Sequence, residues 1–268
     1  MSTKVVLVTG ASSGIGKSIA QTLKQKGFVV YGTARNPQNY PDTAIPLLTL
    51  DVTDQQTINS CISDLMAKEG RIDVLINNAG RGINGTVEEM PIEEAKHIFD
   101  TNFFGAVAVA QAVIPQMRSQ KSGHIVNITS IAGFMGLPFR GFYSASKSAL
   151  NIITESMRME LKPFGIEVCS LAPGDFATDI ASRRYNAPIA KDSPYFERYN
   201  NQLQQIDDHV DEAMNPEIVG EVIYTIVNKS GVRVNYAVGS FLQKLSIYLK
   251  RLLPSKLFEA MLSNHYKQ

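Results

Sequence analysis

The sequence predicts an α/β fold, a doubly wound and mainly parallel sheet of about seven strands with helices on both faces. Three observations predict it. Short β-branched runs alternate with stretches of helical period along most of the chain. Helical stretches separate most of the strands, as parallel pairing through right-handed crossovers requires. The first strand also runs straight into a glycine-rich turn ahead of a helical pattern.

The elements follow in order. VVLVT (5–9) is the first strand, with a helix near 14–26 after it. FVVYGT (28–33) and IPLLTL (45–50) come next, followed by a helix near 54–69 and the strand DVLIN (73–77). A helix near 92–118 leads to HIVNIT (124–129), and one near 143–162 leads to IEVCSL (166–171). Helices near 194–209, 215–228 and 241–253 surround a late strand, VNYAVG (234–239). Apolar runs of this kind suit strands covered on both faces. There is no internal repeat, low-complexity tract or linker. At 268 residues and 44% hydrophobic, the chain reads as one domain with a substantial core, residues 1–238, and a C-terminal helical extension, 239–268.

Composition narrows the function. A net charge of +1 makes no electrostatic case for nucleic acid. The only cysteines, Cys61 and Cys169, fall in a helical and a buried-strand context, with no disulfide framework or metal spacing. His97, His124, His209 and His265 are scattered, so no metal site is expected. KVVLVTG begins at Lys4, too early and too short for a secretory signal, so the Asn-x-Ser/Thr matches at Asn84 and Asn127 carry little weight. No stretch reads as the ~18 apolar residues of a membrane span. A cytoplasmic setting is expected.

Glycines 10, 14 and 16 lie at the first strand-to-helix turn, where bare backbone can approach a phosphate held at a helix N-terminus. A P-loop would need glycine at Ala11, and Gly-x-Gly-x-x-Gly does not fit the spacing Gly-x-x-x-Gly-x-Gly. Tyr143 and Lys147, in GFYSASKSALN, are one helical turn apart, a pairing that alone means little.

Taken in order, Thr-Gly-x-x-x-Gly-Ile-Gly (9–16), Asn-Asn-Ala-Gly (77–80), Asn102, Ser130, Tyr143-x-x-x-Lys147 and Pro173-Gly174 resemble the short-chain dehydrogenase/reductase family from residue 4 to about 238. Ser130 stands thirteen residues before Tyr143, as that family has it. The resemblance implies a Rossmann-type, nicotinamide-dependent oxidoreductase with Asn102, Ser130, Tyr143 and Lys147 as its catalytic set. A free phenol has a pKa of about 10, and a neighbouring ammonium and an oxidised nicotinamide both favour the phenolate. Tyr143 would be general acid toward a carbonyl or base toward an alcohol. Ser130 would hydrogen-bond the same substrate oxygen. Lys147 would also hold the nicotinamide ribose, and Asn102 would position a water in a proton relay. An Asn inside a helix also marks local kinks.

The resemblance further implies that Gly10, Ser12, Ser13, Gly14, Ile15 and Gly16 bind the cofactor phosphates. Asp51 and Val52 would meet the adenine, Asn78, Ala79 and Gly80 the adenosine ribose, and Pro173, Gly174, Phe176 and Thr178 the nicotinamide amide. After the second strand, where an NAD enzyme carries an acid for the ribose hydroxyl, stand Ala34 and Arg35, which points to NADP(H) over NAD(H). Ser13 departs from the NADP-binding pattern, which often has a second base there, so Arg35 acts alone.

Substrate contacts are expected from Ser130, Phe134, Tyr143 and Tyr185, with Met135, Leu137, Phe139, Tyr195, Phe196 and Tyr199 adding apolar surface suited to a lipophilic compound. Arg140, Arg183 and Arg184 are placed to meet a charged head group. The tail lacks the Gly-Gly ending of 3-oxoacyl-carrier-protein reductases and is similar to the hydroxysteroid, retinol and 3-ketosphinganine-type branch. Residues 239–268 hold five Lys/Arg and one Glu, net +4, against −3 for the rest. Residues 241–256 combine an apolar stripe with cations, and either pack on the domain or touch a membrane surface. The expected function is an NADP(H)-dependent interconversion of ketone or aldehyde with alcohol on a steroid-, retinoid- or sphingoid-like substrate. A 3-oxoacyl-thioester reductase and a non-catalytic cofactor-sensing protein are the alternatives. Homo-oligomer formation is left open.

Overall fold

The computed structural model describes residues 3–176, 184–211 and 214–266. Its main sheet has seven parallel strands. In chain order they are β1 (Val5–Val8), β2 (Val29–Ala34), β3 (Leu47–Thr49), β4 (Val74–Asn77), β6 (Gly123–Ile128), β7 (Ile166–Pro173) and β9 (Asn235–Val238), and in space they run β3-β2-β1-β4-β6-β7-β9. A second, two-stranded sheet pairs β5 (Ile83–Asn84) with β8 (Tyr185–Asn186). The helices are α1 (Gly14–Gln25), α2 (Gln55–Glu69), α3 (Ile92–Phe99), α4 (Gly105–Gln120), α5 (Gly141–Leu161), α6 (Phe196–Asp211), α7 (Glu217–Val227), α8 (Phe241–Leu252) and α9 (Ser255–His265).

Alternation along each strand divides the core in two. Val6 and Val8 of β1 pack with Ile19 and Leu23 of α1 and Ile223 of α7 on one face. Val5 and Leu7 pack with Ile58 of α2, Val109 and Val113 of α4 and Met157 of α5 on the other. The helix ends are locally encoded. Asp54 accepts the Gln56 N–H at 2.8 Å to start α2, and Gly70 ends it in the left-handed region at φ 67°.

Two features depart from the expected elements. The helix α9, which begins after Pro254 ends α8, and the β5–β8 sheet are not among the expected elements. The helical run Ile92–Gln120 is, by length and composition, apolar enough to cross a bilayer, contrary to expectation. Val109, Val113 and Met117 within it are wholly buried in the core beside the sheet and Ile98 in a separate cluster, while Ile92 and Phe104 are exposed. Cys61 and Cys169 are free and buried, and burial pushes both thiols up to about 12.

Candidate active site

The strand order reverses direction between β1 and β4, and ligands of doubly wound sheets bind in the crevice at such a switch point, beyond the carboxyl ends of the strands. Here the turn after β1 and the loop after β4 are locked together. The Thr9 hydroxyl oxygen accepts the N–H groups of Asn78 and Ala79, both at 2.9 Å. The Asn78 amide donates to the carbonyls of Thr9 (3.0 Å) and Gly10 (3.1 Å). A Cβ on Gly16 would stand 2.3 Å from that Asn78 nitrogen and 2.4 Å from the Gly10 carbonyl, so no larger residue fits. Gly10, at φ 65°, and Gly14, at φ 55°, take backbone conformations that side chains disfavour. Ser12 and Ser13 lie in the turn, Ser13 as the cap of α1, with Ile15 in its first turn, and that turn carries no acidic residue. The result is a backbone cradle at a helix N-terminus, fit for a pyrophosphate.

Neighbouring elements extend the cradle. Gly10 N–H donates to the Thr33 hydroxyl (3.2 Å) and Ala11 N–H to the Thr33 carbonyl (2.9 Å), which sets the end of β2 beside the turn. Ala34 closes β2, 7% exposed, and Arg35 after it is exposed. Asp51 follows β3, one carboxylate oxygen accepting from the Thr53 N–H and hydroxyl. Val52 is buried, and its side chain would lie 2.7 Å from a Cβ on Gly105.

Two of the four expected catalytic residues, Asn102 and Lys147, meet at Gly80. A Cβ there would lie 3.1 Å from Asn102 Oδ1 and 3.4 Å from Lys147 Nζ. Lys147 is 5% exposed and donates to the Ile128 carbonyl at the end of β6 (2.9 Å). Burial lowers its pKa from 10.5 to about 8. The unfolded chain therefore holds this proton more tightly, and the native state gains stability from the group as pH rises from about 8 to 10.5. Ser130, two residues past Ile128, is buried and accepts the Ala132 N–H (3.1 Å) as cap of a short 3-10 turn, Ile131–Phe134. That turn packs on α5, for a Cβ on Gly133 would lie 3.1 Å from Lys147 Cβ. Tyr143, 8% exposed, is in one apolar cluster with Ala132, Ile83, Leu137 and Tyr185.

Asn102 sits in a five-residue π-helical segment, Asp100–Phe104, between α3 and α4, the local irregularity an in-helix Asn can mark. Its side chain is engaged on three sides. Oδ1 accepts the Arg81 N–H (2.9 Å), and the amide donates to the Arg81 carbonyl (3.0 Å) and the Ser146 hydroxyl (3.2 Å). Ser146 in turn donates to the Tyr143 carbonyl (2.8 Å). Asn102 therefore fixes both the loop at Gly80 and the backbone that carries Tyr143.

The remaining expected residues separate. Tyr185 reaches the Tyr143 cluster because β8 pairs with β5. Phe134 and Met135 face the other way, into a cluster with Ile247 of α8 and Phe258 of α9, and Leu137 touches both clusters. Phe139 holds φ 56°, unusual for an aromatic, with its carbonyl accepting the Gly85 N–H (2.8 Å) and its ring 5.6 Å from that of Tyr199. Pro173 ends β7, Gly174 N–H donates to the Val238 carbonyl (2.7 Å), and Phe176 is buried against Met214. Thr178 and Arg183 lie outside the described residues.

Arg140, expected to meet a charged head group, places its guanidinium 5.1 Å from the Tyr143 ring centre. Three further contributors are not among the expected site residues. Thr9 and Ser146 lie inside the sequence motifs. Gln243 of α8 completes a capping box with Ser240 and donates to Asp175 (2.6 Å), next to Gly174. A Cβ on Gly174 would lie 2.1 Å from Gln243 Oε1, so the side chain must leave if one is added. Gly174→Ala is expected to cost about 1–2 kcal/mol through the lost cap. In a Gln243→Ala background that cost largely disappears, which a double-mutant cycle of urea unfolding reads. Equal costs in both backgrounds would show that Gln243 does not constrain the turn.

The short chain dehydrogenase family model matches residues 4–188. The chain belongs to the short-chain dehydrogenase/reductase family. A 3-ketodihydrosphingosine reductase of Bacteroides thetaiotaomicron is 37% identical over 267 residues, 99% of each chain. A short-chain dehydrogenase from Streptomyces avermitilis superposes with TM-score 0.82 at 32% identity, over 100% of this chain and 97% of that one. A variant of actinorhodin polyketide ketoreductase solved with NADPH superposes with TM-score 0.77 at 27% identity, over 90% and 97%. This short-chain dehydrogenase/reductase is thus an oxidoreductase of a family that acts on carbonyl and alcohol groups with nicotinamide cofactors.

Proposed function

We propose that the protein is an NADP(H)-dependent reductase, reversible to a dehydrogenase, acting on a lipophilic ketone or aldehyde of the sphingoid, steroid or retinoid kind. The observation that carries this reading is the convergence of Lys147, Asn102 and Gly80 one helical turn from Tyr143. The whole-length likeness to a protein named 3-ketodihydrosphingosine reductase favours the sphingoid class among the three.

The cradle fits the cofactor, because Gly16 has no room for a side chain beside Asn78. Gly10 to Gly16 would hold the pyrophosphate, Arg35 the 2′-phosphate, Asp51 and Val52 the adenine, Asn78 to Gly80 the adenosine ribose, Lys147 the nicotinamide ribose, and Pro173 to Thr178 the carboxamide. Bound there, the cofactor supplies a hydride to the carbonyl carbon. Ser130 hydrogen-bonds the substrate oxygen as negative charge builds on it. Tyr143 gives that oxygen its proton and takes one back in the reverse direction. Lys147 holds positive charge beside the phenol, and Asn102 braces the Gly80–Arg81 backbone, from which a water-borne proton can be relayed. The apolar side chains packed with Tyr143, Leu137 and Tyr185 among them, support a lipophilic substrate. Two buried thiols suit a reducing cytoplasm.

Cofactor affinity should fall several-fold as pH rises through about 8, where Lys147 loses its charge. Fluorescence titration with NADPH reads the loss, and Lys147→Met should abolish the pH dependence. A dependence that survives in Lys147→Met would assign it to another group.

The reaction is tested by following NADPH absorbance with long-chain amino ketones, steroid and retinoid carbonyls, and an acetoacetyl thioester. Preference for the thioester would make the protein a 3-oxoacyl-thioester reductase. NADPH binding without turnover on any carbonyl would make it a cofactor-sensing protein.

A further inference from the structure

The C-terminal hairpin α8–α9 is amphipathic in place as well as in sequence. Its inner side is pinned to the catalytic domain. Ile247 and Phe258 pack on Ile131 and Met135 just beyond Ser130, and Gln243 ties the start of α8 to Asp175. Its outer side is left bare. Phe241 and Leu242 are each 74% exposed, Tyr248 62% and Leu252 79%, and on α9 Leu257 and Met261 are exposed as well. Phe241, Tyr248 and Leu252 fall on one helical stripe with Leu245, and Lys244 and Arg251 flank Tyr248 at four residues before and three after. Lys250 and Lys256 are exposed too. Residues 239–268 carry net +4 while the rest of the chain carries −3.

We propose that this outer face is a docking surface for an anionic lipid bilayer. The exposed aromatic and leucine side chains enter the headgroup boundary and the flanking cations meet lipid phosphates and carboxylates. Charge complementarity favours a bilayer over a second copy of the chain, because a two-fold interface through this face would set its cations against one another. The pinned inner side gives the docked protein one orientation. The 3-10 turn after Ser130 then lies directly behind the lipid-facing hairpin, and a substrate dissolved in the membrane has a short path to Tyr143. Lipid binding of this face requires no particular reaction, so it is measurable whatever the substrate proves to be.

The test is co-sedimentation of the full-length protein with vesicles of phosphatidylcholine, alone or mixed with phosphatidylglycerol. Binding is expected to the mixed vesicles at low salt, to weaken at high salt, and to be slight with phosphatidylcholine alone. Lys244→Gln with Lys256→Gln should lower partitioning by about 25-fold, about fivefold for each cation. Phe241→Ser with Leu252→Ser should reduce it at every salt concentration. Both double variants should keep the parent's thermal midpoint and its turnover of a small water-soluble ketone, so lost binding is not lost folding. A folded wild-type protein that fails to sediment with mixed vesicles at low salt overturns the proposal. So does a dimer, seen by light scattering, that Phe241→Ser with Leu252→Ser converts to monomer without any vesicle binding by the parent, since the face would then belong to a second copy.

Discussion

Tyr143→Phe is expected to lower turnover by a factor of about 10² or more while leaving NADPH affinity within about twofold. The ring is buried among Ala132, Ile83, Leu137 and Tyr185, with the Arg140 guanidinium over its face, and phenylalanine keeps all of those contacts. Only the hydroxyl goes, and with it the proton that the proposed mechanism gives to the substrate oxygen. Lys147, held by the Ile128 carbonyl, and Ser130, held by the Ala132 N–H, do not depend on that hydroxyl for their places. The fall should therefore appear in kcat with little change in cofactor binding, read by NADPH absorbance and by fluorescence titration respectively. A variant with near-normal turnover would remove Tyr143 from the chemistry.

Arg35→Ala should weaken NADPH binding by roughly 1.5–3 kcal/mol, or about 10- to 150-fold in Kd, with NADH affected less than about twofold. Arg35 is exposed directly after Ala34, and the Thr33 bonds to Gly10 and Ala11 hold that strand end against the glycine cradle. In the proposed binding mode, a 2′-phosphate on an adenosine beside Asp51 would meet a cation there and no carboxylate at position 34. Ala34→Asp should weaken NADPH further by repulsion and improve the standing of NADH. Titration of both cofactors against both variants separates the outcomes. Equal losses for NADPH and NADH in Arg35→Ala would mean that the guanidinium supports the loop and does not read the phosphate.

Much of this molecule was legible as sequence because its determinants are local. The seven strands of the main sheet were read from β-branched runs. The cradle was read from glycines 10, 14 and 16, since backbone freedom and close approach are properties of a few adjacent residues. Tyr143 and Lys147 were read as neighbours because four residues make one helical turn. Other contacts were decided by tertiary structure alone. β5 pairs with β8 across about a hundred residues, and only that pairing brings Tyr185 to the Tyr143 cluster. Asn102 meets the Arg81 backbone, Gln243 meets Asp175 and Phe134 turns toward α8 because sheet crossovers bring distant segments together. No periodicity encodes those meetings. The tail shows the division most clearly. Its amphipathic stripe is visible in the sequence, but which side is buried was settled by Ile247 and Phe258 finding the turn after Ser130. That contact removes their apolar area from water and leaves Phe241, Tyr248 and Leu252 outside.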